Sequence, residues 1–256
     1  MTIKIISRKI REPELPHFHI SRKSINEALT NSFEQNKKCV FLSGITGYGK
    51  TIAIYDFLNE QSEKNKFWYN LDEWDKDPVT FLKYIYQIFF IQKLISDDLE
   101  ELLSQPLNNE RQLKNFIGLL SNELDENLKE NCYLVLDNFQ EIQNDELIQQ
   151  ILVFILNYCP ERLKIILISQ EQIPEIFYPF FLKHEIEIIN FIELLLNEDE
   201  ASQLITKIGK GNSHLCTDLI NISQKNISLF ILMAQKFENS SSLENYHENR
   251  ILKSFL

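Results

Sequence analysis

The sequence predicts an α/β fold: a five-stranded, mostly parallel sheet flanked by helices and followed by a small helical region. Three observations carry this. Short apolar runs alternate with helical patterns along the chain, as βαβ units require. Two of the runs, Cys132-Tyr133-Leu134-Val135-Leu136 and Ile165-Ile166-Leu167-Ile168-Ser169, have the form of parallel strands buried on both faces. Three of the chain's six glycines crowd into Gly44-Ile45-Thr46-Gly47-Tyr48-Gly49-Lys50-Thr51, between a strand pattern and a helix pattern.

Residues 1–36 read as an entry arm, where Pro13 and Pro16 break any long helix before a helical pattern over Ser24 to Phe33. Lys37 to Ser43 reads as the first strand, residues 44–51 as a nucleotide-binding P-loop, and Thr51 to Leu58 as the helix that follows. In that geometry the loop amides and the helix N-terminus, carrying roughly half a positive charge, converge on phosphate. Gly44 and Gly49 let the backbone approach, Lys50 bridges the β- and γ-phosphates, and the Thr51 hydroxyl binds Mg²⁺.

Lys66 to Leu71 is the second strand, closing at the acidic turn Asp72 to Asp77, after which Asp77 and Pro78 form an N-cap and first helical position. Leu113, Phe116, Ile117, Leu120 and Leu124 keep the spacing of one apolar helix face. The third and fourth strands are the apolar runs above, and Glu185 to Ile189 is a weaker fifth. Beyond Asn190 only helix signals remain. Asn197-Glu198-Asp199-Glu200 is a capped entry to a helix ending at Gly209, two more helices run to Phe237, and Asn239 to Glu244 is polar and loose. The expected organisation is therefore an arm (1–36), a nucleotide-binding core (37–190) and a helical region (191–256).

Composition narrows the class. The chain has 256 residues, 44% hydrophobic and 25% charged, and no apolar run reaches the roughly 20 residues of a membrane helix. Charges interrupt the N-terminus too often for a secretory signal, so a soluble, cytoplasmic protein is expected. Cys39, Cys132, Cys159 and Cys216 lie apart from one another and read as small buried hydrophobes. A formal charge of −11 works against non-specific attraction to nucleic acid.

A nucleoside triphosphatase also needs a carboxylate at a strand end to hold Mg²⁺, and Asp137 fits that Walker B role. The next position, where an acid often orients the attacking water, is Asn138, which cannot accept a proton. Taken in order, Arg22, the loop at 47–51, Trp68 to Phe81, Leu134 to Gln140 and Ile166 to Gln170 resemble the NTPase domain of STAND-class regulators. In particular they resemble the N-terminal part of MalT-like and large LuxR-type transcription activators. The resemblance implies a P-loop NTPase of the ASCE type that binds ATP or ADP with Mg²⁺, with Arg22 approaching the adenine and ribose, and that self-associates with ATP. It also implies further output domains beyond Leu256, including the one that would recognise DNA. Asn138, and Gln170 in place of an arginine that would sense the γ-phosphate, depart from the pattern and imply slow or absent hydrolysis.

Other residues carry plainer alternatives. Tyr48 either stacks on the nucleotide or fills the loop, with packing favoured, and Arg22 is otherwise a surface arginine. His17 and His19 read as solvated arm histidines, too few to hold a metal. Asp72 and Asp77 either organise Mg²⁺ or cap a solvated turn, and Trp68 and Trp74 belong to packing, Trp74 otherwise to a subunit interface. Three functions stay open: a nucleotide switch, an active AAA+ or ORC-like ATPase, and a degenerate interaction module from a truncated regulator.

Overall fold

The computed structural model describes residues 5–61, 65–103, 110–209 and 213–236, in a chain that divides into two compact units, Met1–Leu194 and Leu195–Leu256. In the first, a 3-10 turn (Ser7–Ile10) and an irregular arm lead into α1 (Lys23–Glu34). There follow β1 (Cys39–Ser43), α2 (Lys50–Glu60), β2 (Asn65–Asn70), α3 (Pro78–Ile91), α4 (Asp98–Leu103), α5 (Glu110–Asn127) and β3 (Cys132–Asp137). The unit ends with α6 (Glu146–Tyr158), β4 (Leu163–Ser169), α7 (Tyr178–Leu182) and β5 (Ile186–Ile189).

The five strands form one sheet in the order β2-β3-β4-β1-β5. Every pairing is parallel, β5 included, so the sheet expected to be mostly parallel is parallel throughout. With handedness, this order fixes which face each helix covers. Crossovers between parallel strands are right-handed, and the step from β1 to β2 runs opposite to the steps that follow, so α2 and the later helices must cover opposite faces. On one face Phe33 of α1 and Phe57 of α2 pack edge and face against each other and Tyr133. On the other, Phe41, Phe67, Leu134 and Leu167 join α3, α5 and α6 in the main core. Leu113, Phe116, Ile117, Leu120 and Leu124 all lie in that core, as their spacing predicts.

The acidic turn after β2 is built by its own carboxylates. Asp72 caps a 3-10 turn (Glu73–Lys76) in a capping box with Asp75, and Asp77 caps α3 by accepting from the Thr80 N–H at 2.9 Å. Both therefore serve as caps. Trp74, expected in packing or at an interface, stands 75% exposed.

In the second unit α8 (Glu198–Lys207), α9 (Ser213–Ile222) and α10 (Ile227–Lys236) pack on one another. Asn197 and Glu200 form the capping box that the sequence signals at 197–200. Gly209, one residue past the C-cap, takes φ +85°, a conformation that favours glycine at that position. Residues 239–244, expected to be loose, lie outside the described residues.

Candidate functional site

The glycine loop joins β1 to α2 at the C-terminal edge of the sheet, where open α/β sheets bind ligands. Its glycines have two separate causes. Gly47 and Gly49 adopt φ +94° and +75°, which a side chain resists. Gly44 is a matter of space, because a Cβ there would lie 3.1 Å from the Cβ of Phe191. Gly49 is the N-cap of α2, so the first free amides of that helix open onto the loop.

Lys50, the first residue of α2, is buried and folds back over the loop, donating to the carbonyls of Gly44 and, at 3.0 Å, Ile45. Burial pulls its ammonium below the ordinary lysine value, and Asp137 offsets part of that fall. Ile45 and Thr46 are exposed at the loop's tip, while Tyr48 is buried with its ring tilted against Phe191 at 6.5 Å. Arg22, the N-cap of α1, is 3% exposed, and its guanidinium donates to the Tyr48 carbonyl at 3.1 Å and the Leu194 carbonyl at 3.0 Å. It is no surface arginine. It ties the arm to the back of the loop.

Asp137 ends β3, buried, with one carboxylate oxygen accepting from the Thr51 hydroxyl at 3.3 Å and from the Asn138 N–H at 2.9 Å. Burial raises its pKa, against the pull of Thr51, Asn138, Lys50 and Trp68. Asn138 follows in a left-handed turn (φ +61°), exposed to solvent. The Gln140 amide links two strand ends, accepting from the Gln170 N–H at 3.1 Å and donating to the Asn138 side chain at 3.5 Å. The structure thus draws Lys50, Thr51 and Asp137 together and sets Asn138 and Gln170 at adjoining strand ends. Loop, lysine, hydroxyl and buried carboxylate form a donor and acceptor set suited to phosphate and Mg²⁺.

Sequence reasoning did not find three participants. Trp68 of β2 lies buried on the sheet face that carries Asp137 and helps hold that carboxyl's pKa down, Gln140 bridges β3 to β4, and Gln143 accepts from Ser169 at 2.6 Å under the same edge. Their common signal is strand register, which a single sequence does not display. His19, expected in solvent, is half-buried and pairs with Asp56 of α2 at 2.7 Å. Among the described residues no cluster of His, Cys, Asp and Glu has the form of a separate metal site.

Residues 33–177 match the AAA domain family. The chain is 28% identical over 171 residues to the HTH-type transcriptional regulator MalT of Vibrio parahaemolyticus, covering 66% of this chain and 18% of that protein. The same regulator from Yersinia enterocolitica is 28% identical over 211 residues, or 75% and 22%. The chain therefore spans about a fifth of the length of these curated relatives. In fold it resembles the Walker-type ATPase PABY2304 of Pyrococcus abyssi, with a TM-score of 0.53, 15% identity and coverage of 89% of this chain and 73% of that one. It also resembles the Aeropyrum pernix ORC1 protein solved in complex with DNA, with a TM-score of 0.51, 13% identity and coverage of 86% and 59%. At these identities the two solved structures speak for the fold alone. With more than half of its length matched, and a P-loop region like that of MalT, this chain belongs to the AAA domain family.

Proposed function

We propose that the chain is the nucleotide-binding regulatory domain of a MalT-like regulator, a switch that holds ATP or ADP with Mg²⁺ and hydrolyses it slowly or not at all. The observation that carries this is the convergence of Lys50, Thr51 and Asp137 at the end of a loop whose glycine conformations fit a phosphate cradle. On nucleotide binding Lys50 would leave the Gly44 and Ile45 carbonyls for phosphate oxygens, while the Thr51 hydroxyl and the Asp137 carboxylate hold Mg²⁺. The metal supplies neutralisation of phosphate charge. Asn138 lacks the carboxylate that takes a proton from water, and the Gln170 side chain brings no cation, which favours a long-lived ligand over a fuel. By likeness to the named regulators, the bound nucleotide would promote self-association. DNA recognition would lie outside this acidic chain, and no described helix is long and apolar enough to cross a membrane.

Two measurements test this. Calorimetric titration should show Mg·ATP or Mg·ADP binding that weakens about tenfold or more in Lys50→Ala, the loss of one charge-assisted contact. Unchanged affinity in that variant, or no binding by the wild type, would make the chain an interaction module. Phosphate release should be very slow and should rise in Asn138→Asp. Wild-type turnover on the order of 1 s⁻¹, as in ordinary enzymes, would assign a working ATPase instead.

A further inference from the structure

We infer that Trp68 is a positioning residue for the metal-holding carboxylate, its indole N–H completing a hydrogen bond to Asp137 when nucleotide and Mg²⁺ bind. This rests on the nucleotide-binding reading above. In the register of β2 against β3, Trp68 pairs with Val135 and Asn70 with Asp137. Side chains alternate along a strand, so Trp68 and Asp137 share a face, the one that α2 covers.

Trp68 is 2% exposed, yet its Nε1 makes no full hydrogen bond among the described residues. Asp137 stands two residues along the neighbouring strand from the partner of Trp68, and the indole is among the groups that pull the carboxyl's pKa down. A buried donor left short of its acceptor is costly, and native structures rarely keep one without a use. Asp137 has a matching incompleteness. Its bond from Thr51 is 3.3 Å, long for a hydroxyl donor, and Thr51 is the group that Mg²⁺ would draw away. Once that hydroxyl turns, the carboxylate needs another donor on its protein side. An indole N–H suits the task because it only donates, is uncharged and sits on a rigid ring. It orients the carboxylate without competing with the cation, as a lysine there would.

The full chain has two tryptophans, so Trp74→Phe leaves Trp68 as the sole indole. In that background Trp68 emission should shift when Mg²⁺ joins ADP and stay constant when ADP is added in EDTA. This readout needs no substitution at position 68. Separately, ADP affinity is measured with Mg²⁺ and with EDTA for the wild type and Trp68→Phe, which keeps a ring and loses the N–H. Trp68→Phe should lose roughly tenfold of the Mg²⁺-dependent affinity, the size of a hydrogen bond to a charged group, with affinity in EDTA unchanged. Equal loss in both conditions would show a packing role and overturn the proposal, as would no loss in either or a silent emission. A wild type that binds no nucleotide overturns the reading beneath it, whereas wild-type Mg·ADP binding with an unaltered Trp68→Phe ratio overturns this inference alone.

Discussion

At the scale of single residues, the candidate site keeps two opposite charges where burial opposes both. Burial lowers the Lys50 pKa and raises that of Asp137, so neither ion is comfortable without a ligand. A group whose folded pKa lies above its unfolded value contributes stability below the unfolded pKa and loses it as pH rises through the folded one. For Asp137 this means that at neutral pH the ionised carboxylate costs stability. Asp137→Asn should therefore raise the thermal midpoint of the ligand-free protein at neutral pH and abolish the Mg²⁺-dependent gain in nucleotide affinity. The difference in midpoint should shrink as pH falls and the wild-type carboxyl takes up its proton. Thermal unfolding across pH checks this, and a neutral-pH midpoint below wild type would refute it. The glycine motif and the Asp137 strand end were legible in the sequence because backbone conformation and an apolar run are local properties. Trp68 and Gln140 were not, since their roles depend on which strand lies alongside.

At the scale of elements, the arm is fastened to the core by a buried ion pair that composition alone does not announce. Lys9 donates to both Asp75 oxygens at 2.8 and 2.6 Å, and also reaches Asp72 at 2.9 Å. Its ammonium lies 4.9 Å from the centre of the Tyr84 ring, while the Tyr69 hydroxyl donates to Asp75 at 2.7 Å. The Asp75 side chain is fully buried. Burial works against the Lys9 charge, but the hydrogen bonds to Asp75 and Asp72 outweigh it and hold the pKa above the ordinary lysine value. Removing one member of such a pair strands the other, at a cost of roughly 3 kcal/mol or more. Lys9→Met should destabilise the first unit by about that amount in urea unfolding. A loss under about 1 kcal/mol, the range of exposed pairs, would contradict the clasp. From sequence Asp72 and Asp77 read either as organisers of Mg²⁺ or as caps of a solvated turn, and in the structure both are caps. Asp75 becomes an anchor because the fold brings residue 9 to residue 75.

At the scale of the molecule, a ligand that binds the folded first unit must stabilise it by mass action. Nucleotide at a hundred times its Kd contributes about 2.7 kcal/mol, and each kcal/mol moves the midpoint of a domain this size by roughly 2 to 4 °C. Mg·ADP at that excess should raise the first unit's transition by roughly 5 to 10 °C in differential scanning calorimetry, and Lys50→Ala should erase most of the rise. A shift confined to the second unit's transition would place the ligand elsewhere.

What the sequence alone determined here was local in origin: the strands, the main helix faces, the glycine loop and the caps at Asp77 and Asn197. Each follows from backbone preference or from a periodicity carried by neighbouring residues. The tertiary structure decided what depends on register and crossover direction. It set β1 between β4 and β5, brought Asp137 to Thr51 and Trp68, and turned Arg22, His19 and Lys9 inward to hold the arm. Those pairings join residues far apart along the chain, and their energies exist only once the chain has closed on itself.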